Sequence, residues 1–274
     1  MDWIDALILG IVQGLAEYLP ISSSGHLEIF RQILGIDIPS DQTLQFDVIV
    51  HAATVLSTIV ILWPMFFRLC RSFFTFRRDA DFYYVCKILV SCIPVAIVGF
   101  CFKDFVEQFF GNGLLTVGIC LLVTAALLSF AHFTGFNRKT GKMVSGEKGR
   151  DITWLDAFVI GCGQALAVLP GLSRSGTTIA TGILLGDKRA HVAQFSFLMV
   201  IIPILGEALL DVKDILATPS AEMAISPAAL AVGFVASFVV GCAACKWMLE
   251  LVKKGRLLWF AVYCVAVGLL CILW

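Results

Sequence analysis

Predominantly apolar stretches of about twenty residues recur along the chain, the length that crosses a bilayer as one helix. The runs lie at 44–63, 84–102, 113–132, 192–211, 228–248 and 257–274. Two further apolar stretches, 3–20 and 153–170, each meet a polar Pro/Ser/Gly cluster and then resume as a shorter apolar piece. That interruption predicts broken, re-entrant helices rather than full spans. The expected architecture is an all-α integral membrane protein with six transmembrane helices plus two re-entrant broken-helix pairs.

The polar positions add an orientation. Basic residues gather in three connections: Arg68, Arg71, Arg77 and Arg78; Arg138, Lys139, Lys142, Lys148 and Arg150; and Lys246, Lys253, Lys254 and Arg256. The positive-inside rule places all three in the cytoplasm, with both chain ends outside. The stretch 133–150 is the expected boundary between two halves, 1–132 and 151–274, of a single polytopic domain. A shift of 151 residues lays Trp3, Asp5, Ala6, Gly10, Gln13, Leu15, Ala16, Ser22, Ser24 and Gly25 on identical residues from Trp154 to Gly176. Three predicted spans, an odd number, separate the two copies, so the second enters from the opposite face and the repeat is inverted. Such repeats bring their interrupted backbone to one place near the midplane, where amides at half-helix N-termini hold anions.

Composition agrees with a membrane protein: 59% of residues are hydrophobic, 15% are charged and the mean hydropathy is +0.92. The formal net charge is zero, which leaves no basic field for nucleic acid. The first twenty residues carry Asp2 and Asp5 but no Lys or Arg, unlike the positive opening of a cleavable signal peptide, so the N-terminus is expected to stay in the mature chain. Ten cysteines lie scattered in apolar sequence, with Cys242 and Cys245 as the one CxxC pair, and are read as small packing residues.

Chemistry concentrates at the two interruptions. In the first, Gln13 and Glu17 are one helical turn apart, and Pro20, Ser22, Ser23, Ser24, Gly25 and His26 follow. A carboxylate at bilayer depth is costly unless paired, and Glu17 with the amide oxygen of Gln13 offers oxygen ligands to a hard cation, Mg²⁺ or Ca²⁺. The plain structural alternative is a helix-end carboxylate wetted at the interface. In the second, Arg174 stands among hydroxyls in Pro170-Gly171-Leu172-Ser173-Arg174-Ser175-Gly176-Thr177-Thr178. Guanidinium, hydroxyls and free amides suit a phosphate, and the glycines admit close backbone approach. Val168 replaces Glu17 in the second copy, which predicts an asymmetric site: metal side from copy one, anion clamp from copy two. Asp47 and His51, also one turn apart, are candidates to orient those groups or to serve as another base. Lys87 is read as snorkelling, His132 and His191 as interface residues, and Glu207 as an isolated polar residue in a span.

The Gln13/Glu17 pair, the Ser-Ser-Ser-Gly-His run ending at His26 and the Pro-Gly-Leu-Ser-Arg-Ser-Gly-Thr-Thr run resemble the signature regions of the undecaprenyl-diphosphate phosphatases, the bacitracin-resistance proteins. The resemblance extends over essentially the whole chain. It implies removal of one phosphate from the C55 polyprenyl diphosphate, regenerating the lipid carrier of cell-wall synthesis, in the cell membrane with the site open to the outer face. Carried over residue by residue, it implies Glu17 and Gln13 at a divalent cation; Arg174, Ser173, Ser175 and Thr178 on the diphosphate, with Ser22, Ser24, Gly25, Gly171, Gly176 and Thr177 around it; and Ser23 and His26 at the reacting phosphorus. Three routes stay open: attack by Ser23 with His26 as base, phosphorylation of His26, or a water activated by His26. The first is preferred. A homodimer is compatible with this reading. The rival class is a polyprenyl-phosphate flippase or transporter, whose architecture also uses inverted broken helices, but which has little use for a nucleophile beside a cation ligand.

Overall fold

The computed structural model describes residues 1–36, 40–102, 113–134, 136–137, 142–143, 149–206, 208–209 and 225–274. Glu207 and most of the 133–150 connection, including Arg138, Lys139 and Lys148, lie outside the described residues. The first half contains α1 (Trp3–Ala16), α2 (Ser23–Leu34), α3 (Ser40–Ile61), α4 (Trp63–Phe74), α5 (Ala80–Cys101) and α6 (Gly113–Thr134). The second contains α7 (Trp154–Leu166), α8 (Arg174–Leu184), α9 (Arg189–Met199), α10 (Pro227–Lys253) and α11 (Leu258–Leu273). A two-residue antiparallel pair, Phe136–Asn137 with Lys142–Met143, follows α6.

Among the described residues five helices are long and apolar enough to cross a membrane: Thr43–Ile61, Ala80–Cys101, Gly113–Thr134, Arg189–Gly206 and Pro227–Lys253. The run at 257–274 makes a helix of only 16 residues. At 1.5 Å per residue it covers about 24 Å of a hydrocarbon layer of about 30 Å. The first basic connection is not a loop. Residues 63–74 form an amphipathic helix opened by Pro64, with Leu69 and Ser72 turned inward and Phe67 and Phe74 exposed. Its Arg68 meets Asp81 at the start of α5 at 2.7 Å.

Both apolar stretches that the sequence reads as broken are broken. α1 ends at Ala16 and α2 begins at Ser23, while α7 ends at Leu166 and α8 begins at Arg174. The first helix of each pair opens on a reciprocal capping box, Asp2 with Asp5 and Thr153 with Asp156. α1 lies against α10, and α7 against α5, so each broken helix packs on a long helix of the other half. Small residues permit this close approach. A Cβ on Gly10 would come within 2.5 Å of the Gly233 carbonyl, and one on Gly161 within 2.3 Å of the Ser91 carbonyl. Between them a continuous core runs through Leu121, Leu128, Phe195, Met199 and Met248. Lys87 is tied rather than snorkelling freely, its ammonium donating to the Ile152 carbonyl at 2.6 Å and lying over the Trp154 ring.

Candidate active site

The two interruptions meet. Ser175 Oγ donates to the Leu19 carbonyl at 3.2 Å, and a Cβ on Gly25 would stand 3.2 Å from Gly171 Cα. Gly171 itself has a φ of +88°, and a Cβ there would run into the backbone of Val117 at 2.6 Å. Glycine is thus required at 171 by conformation and by space.

Corresponding atoms are held alike in the two breaks. Ser22 Oγ accepts from Gly25 N at 3.3 Å, and Ser173 Oγ accepts from Gly176 N at 3.1 Å. Ser22 and Ser24 hydroxyls lie 3.4 Å apart, as do those of Ser173 and Ser175. These hydroxyls cap the half-helices and leave Ser23 and Arg174 as the first residue of α2 and of α8.

Both of those residues aim at Glu17. Its side chain is 8% exposed; Oε2 accepts from Ser23 Oγ at 2.8 Å and from Gln13 Nε2 at 3.0 Å, and Oε1 lies 3.9 Å from Arg174 Nη1. His51 Nε2 stands 3.7 Å from Glu17 Oε2, and its Nδ1 donates to the Asp47 carbonyl at 2.7 Å. The Asp47 carboxylate is engaged elsewhere, in an ion pair with Arg31. Of the two residues expected to orient the site, His51 therefore reaches it directly, while Asp47 acts on it through its backbone. A chamber of about 20 Å³ opens beside Glu17, Tyr18, Thr58, Arg174 and Ser196, room for about one water molecule. The Ser196 hydroxyl is held by Thr178 Oγ1 at 2.6 Å. Thr124 Oγ1 accepts from Ser173 N at 3.1 Å and steadies the clamp from α6.

His26 is placed differently from Ser23. Its Nδ1 lies 2.8 Å from the Ser22 carbonyl and its Nε2 2.8 Å from the Tyr263 hydroxyl, with the two rings stacked at 5.6 Å. A carbonyl oxygen only accepts, so Nδ1 carries a proton, and in the neutral ring Nε2 receives Tyr263 O–H. Among the described residues no hydrogen bond joins His26 to Ser23, whose partner is Glu17.

A divalent cation is tested by the donors present. Gln13 Oε1 is buried without a hydrogen-bond partner and sits on the side chain that contacts Glu17. Arg174 Nη1 is likewise buried and makes no hydrogen bond, with Glu17 Oε1 as a counter-charge at 3.9 Å, which leaves its donor capacity for an anion. Among the described residues no cluster of three His, Cys, Asp or Glu side chains could hold a metal. One carboxylate and one orphaned amide oxygen fit Mg²⁺ or Ca²⁺ that takes its remaining ligands from substrate phosphates and water.

The sequence reading missed Tyr263, Arg31, Thr124 and Ser196. Tyr263 had a signal: it is the one phenol in the apolar run at 257–274. The others had none, because ordinary hydroxyls in a span and an Arg near a helix end are unremarkable until their partners are known.

Comparison with known proteins agrees along the whole chain. The family described as bacitracin resistance protein BacA matches residues 6–270. A relative from Parabacteroides distasonis named undecaprenyl-diphosphatase is 54% identical over 272 residues, covering 99% of this chain and 98% of its own. One of the same name from Christiangramia forsetii is 43% identical, covering 100% and 98%. A Bacillus anthracis protein named undecaprenyl-diphosphatase 3 is 36% identical, covering 96% and 94%. With its two interrupted helices meeting at Glu17 and Arg174, the chain belongs to the bacitracin resistance protein BacA family.

Proposed function

We infer that this protein is an undecaprenyl-diphosphate phosphatase, converting the membrane-embedded C55 diphosphate to the monophosphate with release of inorganic phosphate. Full-length identity to relatives bearing that name supports the activity. The observation that carries the mechanism is the convergence of Ser23 and Arg174, from opposite breaks, on Glu17. The transporter reading gains no support from these relatives.

In the mechanism we propose, the Arg174 guanidinium, with the hydroxyls and half-helix amides at 173–176, holds the terminal phosphate. Glu17 accepts the Ser23 proton as Ser23 Oγ attacks the terminal phosphorus. The bond from that phosphorus to the bridging oxygen breaks, and the polyprenyl monophosphate leaves. Water then attacks the seryl phosphorus, the bond from phosphorus to Ser23 Oγ breaks, Glu17 returns its proton to Oγ, and the proton of the water leaves on inorganic phosphate. This revises the base preferred from sequence, since Glu17 is already at hydrogen-bonding distance from Ser23 and His26 is not. His26, fixed by Ser22 and Tyr263, borders the apolar side of the break. A divalent cation held by Glu17 and Gln13 would neutralise phosphate charge.

Alongside this belong an inverted repeat, α11 as a sixth crossing over which the bilayer thins, and a site open to the outer face of the cell membrane. The reciprocal packing of α1 on α10 and α7 on α5 supports the inversion. A reporter fused within 138–150 and found outside the cell would refute the orientation.

The test is phosphate release from C55 diphosphate by purified protein in detergent, with and without Mg²⁺ or Ca²⁺, beside Arg174→Ala and His26→Ala. Metal-dependent release lost in Arg174→Ala is the expected result. Folded protein that binds the lipid but releases nothing would overturn the reading.

A further inference from the structure

A second hollow lies on the far side of the same break. Its volume is about 420 Å³, within the ~300–1,000 Å³ of cavities that take small organic ligands. Three helices line it, each with a stripe at helical spacing. α1 gives Val12, Leu15 and Ala16, the break after it gives Leu19 and Ile21, α2 gives His26 and Phe30, and α11 gives Trp259, Phe260 and Tyr263. All are apolar except His26 and Tyr263, whose hydrogen-bonded side chains form its one polar end. α11 packs along α6, and its Cys264 thiol reaches the Pro20 carbonyl at 3.5 Å, so the inner end is shut against the turn of the first break. The outer walls face the bilayer: Trp259 is 77% exposed and Leu15 37%.

The groove and the reaction site share a wall. Residues 17–22 present Glu17 to the polar side and Leu19 and Ile21 to the groove, and the first turn of α2 presents Ser23 to one and His26 to the other. A molecule whose phosphate lies at Arg174 and whose attached chain is apolar therefore has a groove of matching character one helical turn away. We propose that this groove seats the head-proximal isoprene units of the substrate's polyprenyl chain, with the His26–Tyr263 pair at the junction between chain and diphosphate. The proposal rests on the phosphatase reading for its occupant.

The physics limits what the groove can do. A polyprenyl chain in lipid is already in an apolar medium, so moving it into the groove releases little hydrophobic free energy. What the groove supplies is room for the chain while the diphosphate is held at Arg174, so a side chain that fills it competes with the substrate for that space. Narrowing it therefore harms the enzyme more than widening it.

The test uses the full-length protein in mixed micelles and two variants on lipid-facing walls, Leu15→Trp to fill the groove and Trp259→Ala to open it. Leu15→Trp is expected to raise KM for C55 diphosphate about tenfold, equivalent to about 1.4 kcal/mol, with kcat changed less than KM. Trp259→Ala should shift KM in the same direction by less. A polyprenyl diphosphate with a photoreactive group in its first isoprene units should label Phe30, Trp259 or Phe260, and excess unlabelled C55 monophosphate should block it. KM unmoved in both variants, label on another pair of helices, or equal labelling by a phospholipid carrying the same photoreactive group would overturn the proposal. Absence of phosphate release by the wild type would instead remove the phosphatase reading, and the labelling would then decide the groove by itself.

Discussion

Glu17→Gln separates the roles that meet at one carboxylate. The side chain keeps its length, and the amide oxygen still accepts Ser23 O–H, so the break should fold as before. What goes is a negative charge lying 3.9 Å from Arg174 and 3.7 Å from His51. At an effective dielectric near 20, a pair at about 4 Å interacts by ~4 kcal/mol, much of it released to whatever anion next occupies Arg174. Lipid diphosphate should therefore bind at least as tightly to the variant as to the wild type. Turnover should move the other way: an amide cannot take the Ser23 proton, and loss of general-base assistance costs about 10²–10⁴-fold in kcat, or about 3–5 kcal/mol. The assay is single-turnover phosphate release in detergent, paired with equilibrium binding of a fluorescent polyprenyl diphosphate. Raised Mg²⁺ separates the two functions of Glu17, because mass action refills a weakened cation site and does not replace a proton acceptor. Turnover within a few-fold of the wild type in the presence of a chelator would refute both roles.

Tyr263→Phe keeps the ring against His26 but removes the hydroxyl at Nε2; loss of a neutral hydrogen bond predicts about 1 kcal/mol less folding stability in detergent, and an unchanged melting temperature would show that the contact does not hold His26. Asp187, in the turn after α8 and outside the spans, is buried with neither carboxylate oxygen hydrogen-bonded. Burial first, and then the neighbouring Asp156, push its carboxyl from 3.8 up to about 6. The folded state thus holds this proton more tightly than the unfolded chain, and stability present below the unfolded value is lost as pH rises through the folded one. Melting in detergent should fall between about pH 4 and pH 7 by up to about 3 kcal/mol, and Asp187→Asn should flatten that slope; an identical slope in the variant would be contrary to the assignment. Gly161→Ala puts a Cβ 2.3 Å from the Ser91 carbonyl, whereas one at Gly99 meets nothing within 4 Å. Overpacking of about 1–3 kcal/mol should lower the melting temperature of the first variant and spare the second.

The sequence made the breaks legible because polar residues in a bilayer-length apolar run stand out, and because the copy at an offset of 151 residues repeats them. It made Glu17 and Arg174 legible for the same reason: each is an isolated charge among apolar or hydroxyl neighbours. The partner of Ser23 was not legible. Helical spacing relates Ser23 to His26 within α2, but the contact that forms runs back across the break to Glu17, where no periodicity applies. Nor was Tyr263 legible as the partner of His26, since the contact joins residues 237 apart in sequence. The helix at 63–74 was hidden by its arginines, which mark a connection by charge and say nothing of its backbone.

The two breaks are alike in scaffold and unlike in chemistry, and the difference follows from the ligand. Both use a capping box, a serine hydroxyl on a glycine amide and a small-residue seat on the opposite half. These features shape backbone, and a duplicated segment carries them twice. The chemical positions diverge: Glu17 stands opposite Val168, Ser23 opposite Arg174, and His26 opposite Thr177. A single diphosphate cannot use two copies of each. A second carboxylate at 168 would add negative charge to a break whose Arg174 Nη1 makes no hydrogen bond and already has Glu17 at 3.9 Å, weakening a feature that attracts an anion. A second arginine at 23 would displace the hydroxyl that Glu17 holds at 2.8 Å. On the proposed mechanism one break therefore keeps the carboxylate and the nucleophile, the other keeps the guanidinium, and the reaction site forms where the two breaks meet.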